Sequence, residues 1–173
     1  VRDHTEESDI ALEYNSEAGF DHNLAEMKGQ LDDQERLFFV SHSLGGIYAL
    51  HLANYYSETT VGGVSLSTPY GGSKQADYAR YFLPFNRLMK DIGPASRPMS
   101  DAKRLPAPPC WTQVVTTRGA SPWIQEPNDG VVTIESQQYR TDFELVELPL
   151  NHYEVVISNQ VVEIILARIA QVI

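Results

Sequence analysis

The chain has 173 residues, a net charge of −10 and one cysteine, Cys110. That length supports one sizeable core and so a single domain, while the acidic balance excludes a general nucleic-acid partner. A lone cysteine excludes an intrachain disulfide and points to a reducing, cytoplasmic setting, and with no cysteine pairs, His-Glu-x-x-His string or phosphate-cradling glycine loop no metal or organic cofactor is implied.

In chain order, Asp9 to Tyr14 alternates apolar and polar residues and reads as a strand. Leu24, Met27 and Leu31 share a helical face, so residues 24–31 read as a helix. Leu37-Phe38-Phe39-Val40 reads as a buried strand. It runs through Ser41-His42-Ser43 into Leu44-Gly45-Gly46-Ile47, which opens a helix. A strand, a sharp turn through a serine and then a helix is the context of a nucleophile elbow. Such a turn strains the serine backbone and lifts the hydroxyl above the sheet at a helix N-terminus. Residues two positions either side must be small, and Ser41 and Gly45 are. A polar turn with Ser43 as a plain N-cap would fit the same letters.

Val61 to Ser67 reads as a buried parallel strand. It ends in Thr68-Pro69-Tyr70-Gly71-Gly72-Ser73, at the carboxyl end of the strand, where side chains reach a site or simply form a turn. Residues 74–110 hold six of the ten prolines and the aromatics Tyr78, Tyr81, Phe82 and Phe85. The stretch is too long for a plain connection, and residues 76–91 read as an amphipathic helix. Residues 112–117 form the next strand, followed by the turn Asn128-Asp129-Gly130. Residues 143–148 form the last strand, with His152 in the loop after it. Val161, Ile165, Ile169 and Val172 recur at helical spacing and predict a final helix packed on the sheet. Charges interrupt it, so it is too polar to span a bilayer and no integral membrane segment is expected.

The stretch from Leu37 to Gly46 resembles the elbow of α/β-hydrolase lipases and esterases. It is similar to the Gly-His-Ser-Leu-Gly-Gly form of bacterial lipase-like proteins, with Ser41 where the first glycine would stand. The Asn128-Asp129-Gly130-Val131-Val132 turn resembles the one on which such lipases carry their acid. The resemblance implies an α/β, three-layer sandwich: a mostly parallel sheet flanked by helices, with a cap inserted at residues 74–110. It implies Ser43 as nucleophile, Asp129 as acid and His152 as base, in the order this fold uses. His4 and His22 precede the elbow, His42 lies within it and His51 is two turns into its helix, so they compete poorly.

By the same resemblance the N–H of Leu44 would serve the oxyanion. Tyr70, Tyr81, Phe82 and Phe85 would line the substrate pocket. The cap would be the surface that meets a lipid interface. The implied substrate is a small-molecule or lipid carboxylic ester, cleaved through an acyl-serine. An acyltransferase on the same residues, or a binding module that keeps the elbow without catalysis, would share these features.

The family takes its second oxyanion donor from a loop after its third strand, beside a His-Gly pair. No His-Gly occurs here, and only 42 residues precede Ser43. The chain therefore reads as the C-terminal portion of a longer hydrolase, in which an upstream signal peptide would not be visible. The family's third strand would lie between residues 10–14 and 37–41. A strand-wide space, roughly 5 Å per side, is expected there.

Overall fold

The structure, a computed structural model, describes residues 9–72, 93 and 95–172. Four strands form one parallel sheet in sequence order: β1 (Leu37–His42), β2 (Thr60–Leu66), β3 (Trp111–Thr116) and β4 (Glu144–Leu148). Val40 pairs with Val64, Val64 with Thr112, and Thr112 with Glu144. All six residues of β3 are buried. A central parallel strand is covered on both faces, so its side chains stay apolar or internally bonded instead of alternating.

Helices cover both faces. On one side lie α1 (Phe20–Gly29), α2 (Gly45–Tyr55) and a short helix, Arg97–Ala102. Their core joins Ile47, Tyr48 and Leu52 of α2 to Phe20, Met27, Phe39, Met99 and Trp111. On the other side a 3-10 turn, Glu154–Ile157, leads into the C-terminal helix, Asn159–Val172. Val155, Val161 and Ile165 pack there on Val64, Leu66, Val114 and Leu148. Each such fully buried side chain is worth about 1.5–3 kcal/mol of transfer free energy. The two separate cores make the three layers of the sandwich.

Residues 10–14 are not a strand. Their alternation is satisfied by packing without a ladder. Leu12 lies against the first core and Tyr14 stacks on Tyr48, with ring centroids 5.5 Å apart. A strand needs a neighbour to accept its backbone bonds, and between this segment and β1 lies a cleft of about 560 Å³. Ile10, Leu12, Phe38, Val40 and Tyr48 are among its walls. β1 is therefore an edge strand among the described residues, and Val40, expected to be buried, is 41% exposed. The N–H of Ser43 donates to Leu66 O. Backbone groups alternate in direction along a strand, so those of Val40 and His42 face the cleft side.

Most of the expected cap, with Tyr81, Phe82 and Phe85, lies outside the described residues. The described part of that stretch is tied to the sandwich. His51 of α2 meets Pro98 O at 3.0 Å, and Asn54 donates to Pro106 O. Arg140, itself buried, donates to Ala102 O and Leu105 O.

Candidate active site

The carboxyl ends of β1, β3 and β4 bring three distant side chains together. Ser43 follows β1 directly and has φ +53°, in the left-handed region that L side chains rarely adopt. Its amide stays on the β2 ladder through Leu66 O, while its carbonyl accepts from Gly46 N. The chain therefore turns sharply from sheet to helix, and the turn pushes the hydroxyl outward. The close approach falls on Gly46: a Cβ there would sit 2.0 Å from Thr68 Oγ1. At Gly45 a Cβ would lie 3.9 Å from Ser41 Cβ, an ordinary contact. Ser41 is tolerated in the glycine position for that reason.

Asp129 sits in the loop after β3, almost wholly buried. Gly130, with φ +102°, completes its turn. Asp129 Oδ1 accepts from the N–H groups of Val131 (3.0 Å) and Val132 (2.7 Å). Oδ2 accepts from His152 Nδ1 (2.8 Å), Thr116 Oγ1 (2.6 Å) and Gln137 Nε2 (3.1 Å). Burial pushes this carboxyl upward, but the hydrogen bonds from His152, Thr116 and Val132 outweigh it and hold Asp129 below its ordinary range. It is a carboxylate at neutral pH.

His152 follows β4. A reciprocal cap shapes its loop: Asn151 Oδ1 accepts from Glu154 N while Glu154 Oε2 accepts from Asn151 N. The Asn151 amide and the Arg118 guanidinium hold Glu154 below the usual carboxylate range. His152 N also donates to Asp129 O at 3.0 Å. Because Asp129 is ionised, Nδ1 must carry the proton. In the neutral imidazole Nε2 is then the acceptor, 3.1 Å from Ser43 Oγ.

His42 Nε2 lies 2.8 Å from His152 O, and the two rings are 4.7 Å apart. Burial, then the nearby His152, lower the His42 pKa. A neutral His42 donates from Nε2 to that carbonyl and braces the His152 loop against the elbow.

The remaining expected residues fall as follows. Leu44 begins the turn into α2, next to Ser43, and is buried. Tyr70 is a core side chain with no exposed surface; it packs on Phe143 and accepts from the Trp111 indole. Burial pushes its phenol up to about 12. Thr116, Gln137 and His42 were not singled out from sequence. Thr116 has one signal, its place at the carboxyl end of a parallel strand, and Gln137 has none. Among the described residues no three metal-ligating side chains converge, and no helix is long and apolar enough to cross a membrane.

Parallel β1 to β4, helices on both faces and a left-handed serine between β1 and α2 are the frame of a known architecture, which solved structures share. A lipase of Bacillus licheniformis, BlEst2 in its mature form, superposes with a TM-score of 0.62 at 15% identity, over 84% of this chain and 69% of that one. The chain has the α/β-hydrolase fold. A carboxylesterase structure from the thaumarchaeon Nitrososphaera gargenis gives a TM-score of 0.62 at 12% identity, covering 90% and 73% of the two chains. The Pyrococcus furiosus esterase PF2001 gives 0.57 at 15%, covering 87% of this chain and 61% of the esterase. No protein-family model and no curated protein matches the sequence. Within this α/β-hydrolase frame, Ser43, Asp129 and His152 lie in loops at the carboxyl edge of the sheet, where open α/β sheets bind ligands.

Proposed function

We propose that the protein is a serine hydrolase of carboxylic esters, with Ser43 as nucleophile, His152 as general base and acid, and Asp129 as the group that orients His152. One observation carries this reading: the continuous hydrogen-bonded line Ser43 Oγ–His152 Nε2, His152 Nδ1–Asp129 Oδ2. In the neutral imidazole the proton sits on Nδ1 toward Asp129, so Nε2 can take the hydroxyl proton.

In the first half-reaction Ser43 Oγ bonds to the ester carbonyl carbon as its proton passes to His152 Nε2. The resulting oxyanion meets the N–H of Leu44. Collapse breaks the carbon–oxygen bond to the alcohol, which leaves with the proton from His152. Water then gives a proton to His152, attacks the acyl-serine and releases the acid, restoring Ser43. The same acyl-serine would serve an acyltransferase, with an alcohol in place of water. Product analysis with added methanol separates the two: dominance of the methyl ester over free acid marks transfer.

The test is turnover of short nitrophenyl esters by the chain and by Ser43→Ala, His152→Ala and Asp129→Asn. The first two should lose activity to a similar degree, because members of such a unit are not additive. Retention of most of the activity by Ser43→Ala would remove Ser43 from the mechanism.

A further inference from the structure

We infer that Thr116 is a positioning residue for this site: its hydroxyl, locked by Ser67 and Gln137, holds the Asp129 carboxylate in the one orientation that serves His152. The inference rests on the proposed triad and goes beyond it, since the Thr116 side chain bonds to Asp129, Ser67 and Gln137 and not to Ser43 or His152.

The charge on Asp129 orders the protons of this cluster. Thr116 Oγ1 lies 2.6 Å from Asp129 Oδ2, and an ionised carboxylate can only accept. The Thr116 hydroxyl proton therefore goes to Asp129, the shorter and charged acceptor, in preference to Gln137 Oε1 at 3.2 Å. The contact between Ser67 Oγ and Thr116 Oγ1, at 2.7 Å, must then run from Ser67 to Thr116. Two hydroxyls in series point toward one carboxylate oxygen, and each polarises the next. Ser67 holds its place with φ +52°, just past the end of β2. Such a strained residue persists only where its surroundings require it.

Gln137 fixes the other side. Its Oε1 accepts from Thr116 N at 2.8 Å, and its Nε2 donates to Thr116 O at 3.2 Å. The side-chain amide thus pairs with Thr116 as a neighbouring strand would. Nε2 also reaches Asp129 Oδ2. Both of its acceptors are oxygens without protons, so the amide cannot be turned over. Ser67, Thr116 and Gln137 have no measurable exposure, which makes each lost bond costly. A threonine that merely filled space would need no such arrangement.

The proposal is tested on the full chain with Thr116→Val, which keeps the shape and removes the hydroxyl, Thr116→Ala, which removes bulk as well, and Thr116→Ser, which keeps the hydroxyl. Two quantities are read. One is the rate at which a fluorophosphonate modifies Ser43, Oγ displacing fluoride at phosphorus while its proton passes to His152. The other is the acid-pH titration midpoint of the Asp129 carboxyl carbon by ¹³C NMR. His152 and His42 are the titratable groups facing Asp129, and both are present in every variant.

Thr116→Val should slow modification about tenfold to a hundredfold and raise the Asp129 midpoint by about half a pH unit or more. Thr116→Ser should restore both. If Thr116→Val does not fold, Thr116→Ala carries the same expectation. A variant without the hydroxyl that keeps the wild-type midpoint and rate would overturn the inference, as would a fall in thermal stability with both readouts unmoved. Absence of modification in the wild type would sink the hydrolase reading alone, because the carbon titration reads the Thr116 bond without catalysis.

Discussion

Asp129 is where physical chemistry constrains the account most tightly. Two donors on Oδ1 and three on Oδ2 favour its ionised form over its neutral one. Its folded pKa is lowered, so its contribution to stability is present above the unfolded value, roughly 4, and is lost as pH falls through the folded value. Asp129→Asn should therefore be clearly less stable than wild type to urea at pH 7, with the gap closing toward pH 3. A gap independent of pH would mean that the charge does not matter. At this scale the sequence was informative for Ser43, Asp129 and His152, because each stands in a loop of distinctive letters after a strand. It was silent on Gln137 and offered for Thr116 only its place at a strand end, since a strand-ending threonine and a helical glutamine look alike in any protein. His42 was legible only as a residue of the elbow; its tie to His152 O crosses 110 positions, which no local pattern reports.

At the scale of elements, two glycines set how closely they approach. A Cβ at Gly46 would lie 2.0 Å from Thr68 Oγ1 of a fully buried residue, between α2 and the end of β2. Gly46→Ala should cost about 1–3 kcal/mol of stability as overpacking, read by denaturant unfolding. Gly45→Ala, with 3.9 Å of room, should cost little, and the reverse order would discredit this picture of the elbow. A Cβ at Gly119 would fall 1.9 Å from the carbonyl carbon of Asp129. Gly119→Ala should displace the acid loop and lower esterase turnover at least tenfold, the cost of one charge-assisted hydrogen bond. An alanine variant with wild-type turnover would show that the loop yields freely. The two central strands and the final helix were legible because burial on both faces, or on one helical stripe, leaves its mark on the sequence. The edge strands β1 and β4, only partly buried, were legible from aromatic and β-branched letters bounded by turns. Residues 10–14 carry an equally clear alternation yet form no strand. Of their apolar residues Leu12 packs on the first core while Ile10 and Tyr14 stay exposed, and a ladder needs a partner strand that periodicity cannot supply.

For the molecule as a whole, the open edge of β1 is the main departure from a fully covered sheet. A cleft lies between β1 and residues 9–14, and the segment across it is not the strand expected there. The chain spans 69% and 73% of the Bacillus and Nitrososphaera proteins that share its fold. The fold class was legible because a strand–serine–helix elbow occurs in a narrow structural context. The aromatic residues expected in the cap lie outside those described. The proposed oxyanion donor is the N–H of Leu44, and loss of one such donor typically costs about a hundredfold to a thousandfold in turnover. The most direct test is modification of the chain by a fluorophosphonate, followed by peptide mapping. The account predicts one adduct per chain, on Ser43, absent from Ser43→Ala and strongly slowed in His152→Ala. An unmodified wild-type chain, or an adduct that survives Ser43→Ala, would contradict it.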